Sequence, residues 1–230
     1  MAQPLPITKS VFTGQTLAAR ISIATGVLFV LLLLSLHVLE PEFDPTWRFV
    51  SEYALGPFGW LMHLAFFLLA TSLASAGVVL FSSVRSMVSK ISRLVGYIGL
   101  AILGLAAIGI LIAAIFTTDP MTTPPAAMTL SGNMHVFGAS LDYTPVAALV
   151  LSFVLARQPA WRPIRRWLFL TAGVMLLAMV AFMLMLPHDG KFGPGVLAGL
   201  FGRFLLVSYL GWLLTIGFHT LKLYRRADNA

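Results

Sequence analysis

The residues able to do chemistry in this chain are carboxylates, histidines and one arginine, set within or beside long runs of Leu, Ile, Val, Phe and Ala. Asp142 and Arg203 are the sharpest of them, because each falls inside an apolar run. An ionised Asp or Arg at the centre of a membrane helix costs about 2.5–3.5 kcal/mol on insertion scales, so such a residue normally has a partner or a task. At helical rise, Asp142 would lie roughly 12 Å and Arg203 roughly 10 Å below the same edge of the bilayer. Opposite charges at similar depth predict that the two face one another or share one hydrated cavity. The plain alternative is an ion pair that only fixes helix register.

The histidines gather at the same edge. His37 ends one apolar run, His63 lies just inside the next, and His135 opens the run that holds Asp142. His135 and Asp142 are seven residues apart, which puts them on nearly one face of a continuous helix. His188 lies in a loop on that side. His219 alone sits at the opposite edge, where the C-terminal end of a helix favours a cation. Seven of the eight acids, all but Asp228, also belong to the His37 side. A polar pocket there would draw on Asp44, Glu52, His63, Asp119, His135, Asp142 and Arg203.

Three chemistries fit such a pocket. The first is recognition of a lipid headgroup or small amphiphile, with Arg203 on an anionic group and the histidines and acids on the remainder. The second is zinc held for hydrolysis by His63 and His135, with His37 or His188 and an acid. The third is a b-type haem ligated by two histidines on facing helices. Neither HxxxH nor HExxH spacing occurs, so no local motif selects a metal. Taken singly, each histidine reads as a side chain satisfying a neighbour.

Whatever these residues do, lipid-spanning helices must position them. The chain has 230 residues, 59% hydrophobic and 10% charged, against about 25% charged in an average soluble domain. One soluble core of this size cannot hide that much apolar surface. Six apolar segments stand out: Ile21–Val38, Phe58–Phe81, Val95–Phe116, Met134–Leu155, Trp167–Leu186 and Val196–Leu221. About 20 residues of helix cross the hydrocarbon. Strands of alternating character, as a barrel would need, are missing. The expected fold is all-α, a single six-helix transmembrane domain over residues 1–230.

Charge sets the expected orientation. Of 15 Lys and Arg, twelve lie in the N-terminal segment, near Arg85–Arg93, near Arg157–Arg166 or in the C-terminal tail; Arg48, Lys191 and Arg203 are the other three. Twelve against three is a strong positive-inside bias, giving both termini in the cytoplasm of a cell with this protein in its plasma (inner) membrane. The net charge of +7 follows from that bias and is not a nucleic-acid signal. With no cysteine, disulfides, cysteine–zinc sites and thiol catalysis are excluded. The first run ends in Glu40-Pro41-Glu42 rather than a small-residue cleavage site, so it reads as an uncleaved span.

Other features read as packing. Met175, Met179 and Met183 recur at helical spacing as polarisable filler. Gly195 with Gly199, and Gly109 with Ala113, make small-residue steps for close helix approach. Pro145 reads as a kink around a cavity just beyond Asp142. Trp47, Trp60, Trp161 and Trp167 sit where interfacial anchors belong. Ser51 reads as the cap of a short helix that Gly56-Pro57 breaks, with Glu52 projecting over the pocket.

Three stretches carry a resemblance: Phe43-Asp44-Pro45, Ser51-Glu52-Tyr53-Ala54-Leu55-Gly56-Pro57-Phe58-Gly59-Trp60-Leu61-Met62, and Ile115-Phe116-Thr117-Thr118-Asp119-Pro120. With these and the element from Gly199 to Arg203, nearly the whole chain resembles the membrane family called domain of unknown function 998. The family pattern often has His-Gly-x-x-His after the Asp-Pro loop. Here Leu130-Ser131-Gly132-Asn133-Met134-His135 keeps only the second histidine. The resemblance implies six spans and supplies no reaction. The function expected is binding of a membrane lipid or amphiphile as carrier, sensor or accessory subunit. A metal-dependent intramembrane lipid hydrolase, and a structural or haem-binding subunit with a protein partner or a second copy, are the alternatives.

Overall fold

The structure, a computed structural model, describes residues 9–188 and 190–228; Asp189 of the third acidic-side loop lies outside them. Among the described residues there are seven α-helices and no strand: α1 Lys9–Leu39, α2 Gly59–Arg85, α3 Lys90–Ile115, α4 Leu130–Ser140, α5 Thr144–Leu155, α6 Arg165–Leu184 and α7 Ala198–Asp228. Six segments are long and apolar enough to cross a membrane, α4 and α5 together making the fourth. In lipid a chain must satisfy its own backbone hydrogen bonds, so these runs fold as helices. This is a multi-pass membrane bundle.

Local chemistry sets the ends. Pro41 follows α1, and Gly56-Pro57 precedes α2. Ser89 caps α3 by accepting the Ser92 N–H, and Thr129 caps α4 by accepting the Gly132 N–H. The helices pack as a ring in chain order: α1 on α2, α2 on α3, α3 on α4 and α5, α5 on α6, α6 on α7, and α7 back on α1. Phe29, Leu33, Leu69, Leu73, Leu103 and Trp212 fill the middle. Leu31, Leu34, Phe67, Ile108, Leu177 and Phe218 stay exposed on the outside. So wide an apolar surface needs lipid to cover it.

Four expectations change here. The fourth span is two helices rather than one kinked helix. Asp142 Oδ1 accepts the Thr144 N–H at 3.2 Å and its hydroxyl at 2.6 Å, while Pro145 occupies the first turn of α5. Proline has no N–H to give and is pre-shaped for a helix start, so Asp142-Tyr143-Thr144-Pro145 restarts the helix. Gly195 takes a positive φ of 98° before α7 begins, so it is a turn residue and not half of a helix-packing step. Trp161 is buried and donates its Nε1–H to Ser83 Oγ at 3.3 Å, instead of anchoring at the lipid surface. The short helix Val50–Leu55 is a 3₁₀ turn that follows Phe49, and Ser51 lies within it rather than capping it. Trp60 and Trp167 are exposed at helix starts, as interfacial anchors are.

The second small-residue step does its work through Gly109. It meets Gly138 of α4 so closely that a Cβ on either glycine would overlap the other's carbonyl oxygen. This crossing locks α4 to α3.

Candidate functional site

The loop between α1 and α2 lies across the acidic end of the bundle, and α7 holds it there. Leu200 donates its N–H to Thr46 O at 2.9 Å, satisfying one of the free donors of α7's first turn. A Cβ at Gly199 would overlap the Arg48 carbonyl, so only glycine lets the loop lie this close. One turn further, the buried Arg203 reaches into the loop. Its Nη1 donates to the carbonyls of Pro45 (3.0 Å), Arg48 (2.6 Å) and Gly199 (2.9 Å), and its Nη2 to the Tyr53 hydroxyl (3.2 Å). Its Nε donates to His37 Nε2 at 2.8 Å. His37 gives its own Nδ1–H to Leu33 O at 2.6 Å, which fixes the neutral tautomer that accepts from arginine.

Arg203 therefore does not pair with Asp142. The ion pair of this loop is Arg48 with Glu52, at 2.6 Å. Similar depth from one edge did not make the two residues partners, since the loop folds inward and offers α7 its carbonyls first.

Glu52 is buried and fully used. Oε1 takes Arg48 and the Met121 N–H at 3.1 Å, and Oε2 takes the Phe49 N–H at 3.1 Å, tying the first loop to the second. The Arg48 guanidinium also lies 4.7 Å from the Trp47 ring centroid. Asp44 accepts the hydroxyl and N–H of Thr46, bonds that hold this exposed carboxyl below its ordinary range. Asp119 accepts from Thr129 N–H and hydroxyl at the head of α4, packed against Gly132. His63 links α2 to the end of α3, giving Nδ1–H to Ala114 O at 2.8 Å and lying 3.4 Å from Thr117 Oγ1. His188 is exposed. Among the described residues no three His, Asp or Glu side chains come close enough to hold a metal ion.

One residue that the sequence reading passed over belongs to this scaffold. Glu40 is fully buried; Oε1 accepts the Phe58 N–H at 2.7 Å, and Oε2 has no partner. Its carboxylate sits where a Cβ of residue 56 would be, which is why Gly56 ends the Ser-Glu-Tyr-Ala-Leu stretch. Burial pushes its carboxyl above the usual range, against the Phe58 hydrogen bond, with Glu42 nearby adding to the rise. Pairing an acid with a glycine sixteen residues on leaves no local sequence signal.

Beneath the loop lies a cavity of about 220 Å³. Phe49, Val50 and Ser51 roof it; Phe66, Ile110, Ala113, Leu205 and Leu206 wall it; His135, Ala139 and Asp142 come from the interrupted span, and Met179, Phe182 and Met183 from α6. The space has a simple origin. The buried residues of α6, Leu168, Ala172 and Met175, all come before residue 176, and beyond them no side chain of the helix is buried. α4 packs on α3 and makes no extended interface with α6. Ala139 and Met183, on the two sides of that gap, are exposed.

The cavity is apolar except at a few points. His135 is buried and directs Nδ1–H to Phe116 O at 2.8 Å and Ala113 O at 3.1 Å, leaving Nε2 with its lone pair. Asp142 accepts Thr144 on one oxygen and the Tyr209 hydroxyl, at 2.9 Å, on the other. Of the seven residues expected to form one pocket, the structure thus brings His135 and Asp142 to a shared cavity. It sets Arg203, Glu52, Asp44, Asp119 and His63 in the framework around it.

No curated protein and no solved structure matches the chain. A family model described as protein of unknown function (DUF998) matches residues 23–219, most of the chain's length, and the chain belongs to that family.

Proposed function

We propose that this membrane protein binds a lipid-like amphiphile in the cavity under the α1–α2 loop, serving as a carrier, sensor or accessory subunit. The basic loops face the cytoplasm, so the cavity lies in the outer leaflet of the plasma membrane. One observation carries the reading: an apolar space with two titratable side chains, His135 and Asp142, lies beside the outer end of α6, where no side chain of that helix is buried. Apolar walls with a few placed polar groups are the usual make-up of a small-molecule site. The gap between α4 and α6 offers entry from the bilayer, sparing the ligand a passage through water. The Arg203 and Glu52 networks hold the roof and do not touch the ligand.

The test is mass spectrometry of lipids retained by the purified protein, alongside Ala139→Phe, which fills the cavity from α4. Wild type should retain a lipid that Ala139→Phe releases. Identical retention by both, or none by wild type, would refute the proposal.

A further inference from the structure

The two titratable side chains of the cavity offer only acceptors, with the neutral Ser51 hydroxyl as the one side-chain donor in the lining, and this bears on which amphiphile fits. His135 has committed its ring N–H to the backbone carbonyls of Ala113 in α3 and of Phe116 just past its end, so toward any other group it offers only a lone pair. Asp142 receives three hydrogen bonds, from Thr144 N–H, Thr144 hydroxyl and Tyr209 hydroxyl, and its remaining capacity as a carboxylate is again to accept. No Lys or Arg lines the space. The nearby cation in sequence, Arg203, has four of its five N–H groups engaged by His37, Tyr53 and backbone carbonyls. Phe49, Phe66 and Phe182 add aromatic faces to an otherwise aliphatic lining.

Building on the binding role proposed above, we infer that the ligand's polar end is a hydrogen-bond donor, a hydroxyl or an ammonium group, and that anionic amphiphiles are rejected. A carboxylate or phosphate brought here would meet two acceptors, no cation and only the neutral Ser51 hydroxyl to replace its lost water, far short of its desolvation cost. A hydroxyl can donate to His135 Nε2 or to Asp142. An ammonium gains the Asp142 carboxylate and the faces of the aromatic rings. This reverses the expectation that Arg203 recruits an anion.

Three probes with one chain length isolate the headgroup: dodecanol, dodecylamine and dodecanoate, added to the full-length protein in zwitterionic nanodiscs and read by native mass spectrometry. Ala139→Phe marks the portion of binding that belongs to the cavity. Dodecanol and dodecylamine should occupy wild type at least about tenfold more tightly than dodecanoate, the order set by a hydrogen bond made or left unmade. Asp142→Asn keeps an acceptor to cap α5 and removes the carboxylate, and should weaken dodecylamine at least about tenfold while leaving dodecanol within about threefold. Thermal unfolding confirms that each variant is folded. Cavity-dependent binding of dodecanoate as tight as the other two, or an amine preference unmoved by Asp142→Asn, overturns the headgroup assignment and leaves the binding role standing. If Ala139→Phe changes none of the three, the binding role itself falls.

Discussion

Arg203 of α7 donates its Nε–H to Nε2 of His37 in α1 at 2.8 Å, so the last and first helices of the ring are joined by a cation and a neutral imidazole. Among the described residues no carboxylate lies within ion-pair distance of this guanidinium. Its charge is instead spread over three carbonyl oxygens, a phenol and the ring. Replacing it by Met leaves these acceptors without a donor, and unpaired buried groups cost about 1–3 kcal/mol each. Arg203→Met should lower stability by about 2–4 kcal/mol. Hydrogen exchange should quicken across residues 45–53 ahead of the helices. Unchanged exchange there would show that the arginine does not secure the loop.

Glu40 yields a prediction with a definite sign. A carboxyl raised above its unfolded-state value supports the fold while protonated, and that support is lost as pH rises through the raised value. Glu40→Gln keeps an acceptor for the Phe58 N–H and is neutral at every pH. Its melting temperature should match wild type near about pH 4 and exceed it by about 2–4 °C near about pH 8, the shift that roughly 1 kcal/mol gives at this size. A difference that does not vary with pH would contradict the burial of an ionisable proton at this position.

Two glycines of α3 make a matched comparison. Gly109→Ala would drive a methyl into the Gly138 carbonyl, and overpacking of this kind costs about 1–3 kcal/mol. Gly104 has nothing within 4 Å of a built Cβ, and Gly104→Ala should be neutral or stabilising by up to about 1 kcal/mol through helix propensity. Thermal denaturation in one detergent reads both.

Glu52→Ala removes the acceptor shared by Arg48, Phe49 and Met121, and with it the tie between the first two acidic-side loops. A loss of about 1–3 kcal/mol is expected, together with faster exchange at the Met121 amide. Glu52→Gln should recover part of the stability and most of the protection at Met121. Equal behaviour of the two variants would assign Glu52 no bridging role.

The membrane fold was plain from the run lengths alone, because a span is a statement about hydrocarbon thickness and needs no knowledge of neighbours. The break at Asp142 was also written locally, in an Asp-x-Thr-Pro stretch, yet it reads as a kink once the run is taken as a single helix. The partner of Arg203 was a different matter. Depth along a helix says nothing about azimuth around it, and three of the four oxygens that bind the guanidinium are main-chain atoms, invisible in residue letters. Glu40 was hidden for a similar reason, since its buried state depends on Gly56 and Phe58 across a loop. His135 and Asp142 were paired on a helix face that the break abolishes, and they still reach the same cavity because the fold turns both segments inward.

A guanidinium that grips carbonyl oxygens senses the path of a backbone and not the identity of its side chains. The roof loop can therefore change its residue at Pro45 and keep its shape there, provided position 199 stays glycine and Arg203 stays arginine. Here the protein has room to alter what a visiting molecule meets without rebuilding the frame that holds the doorway.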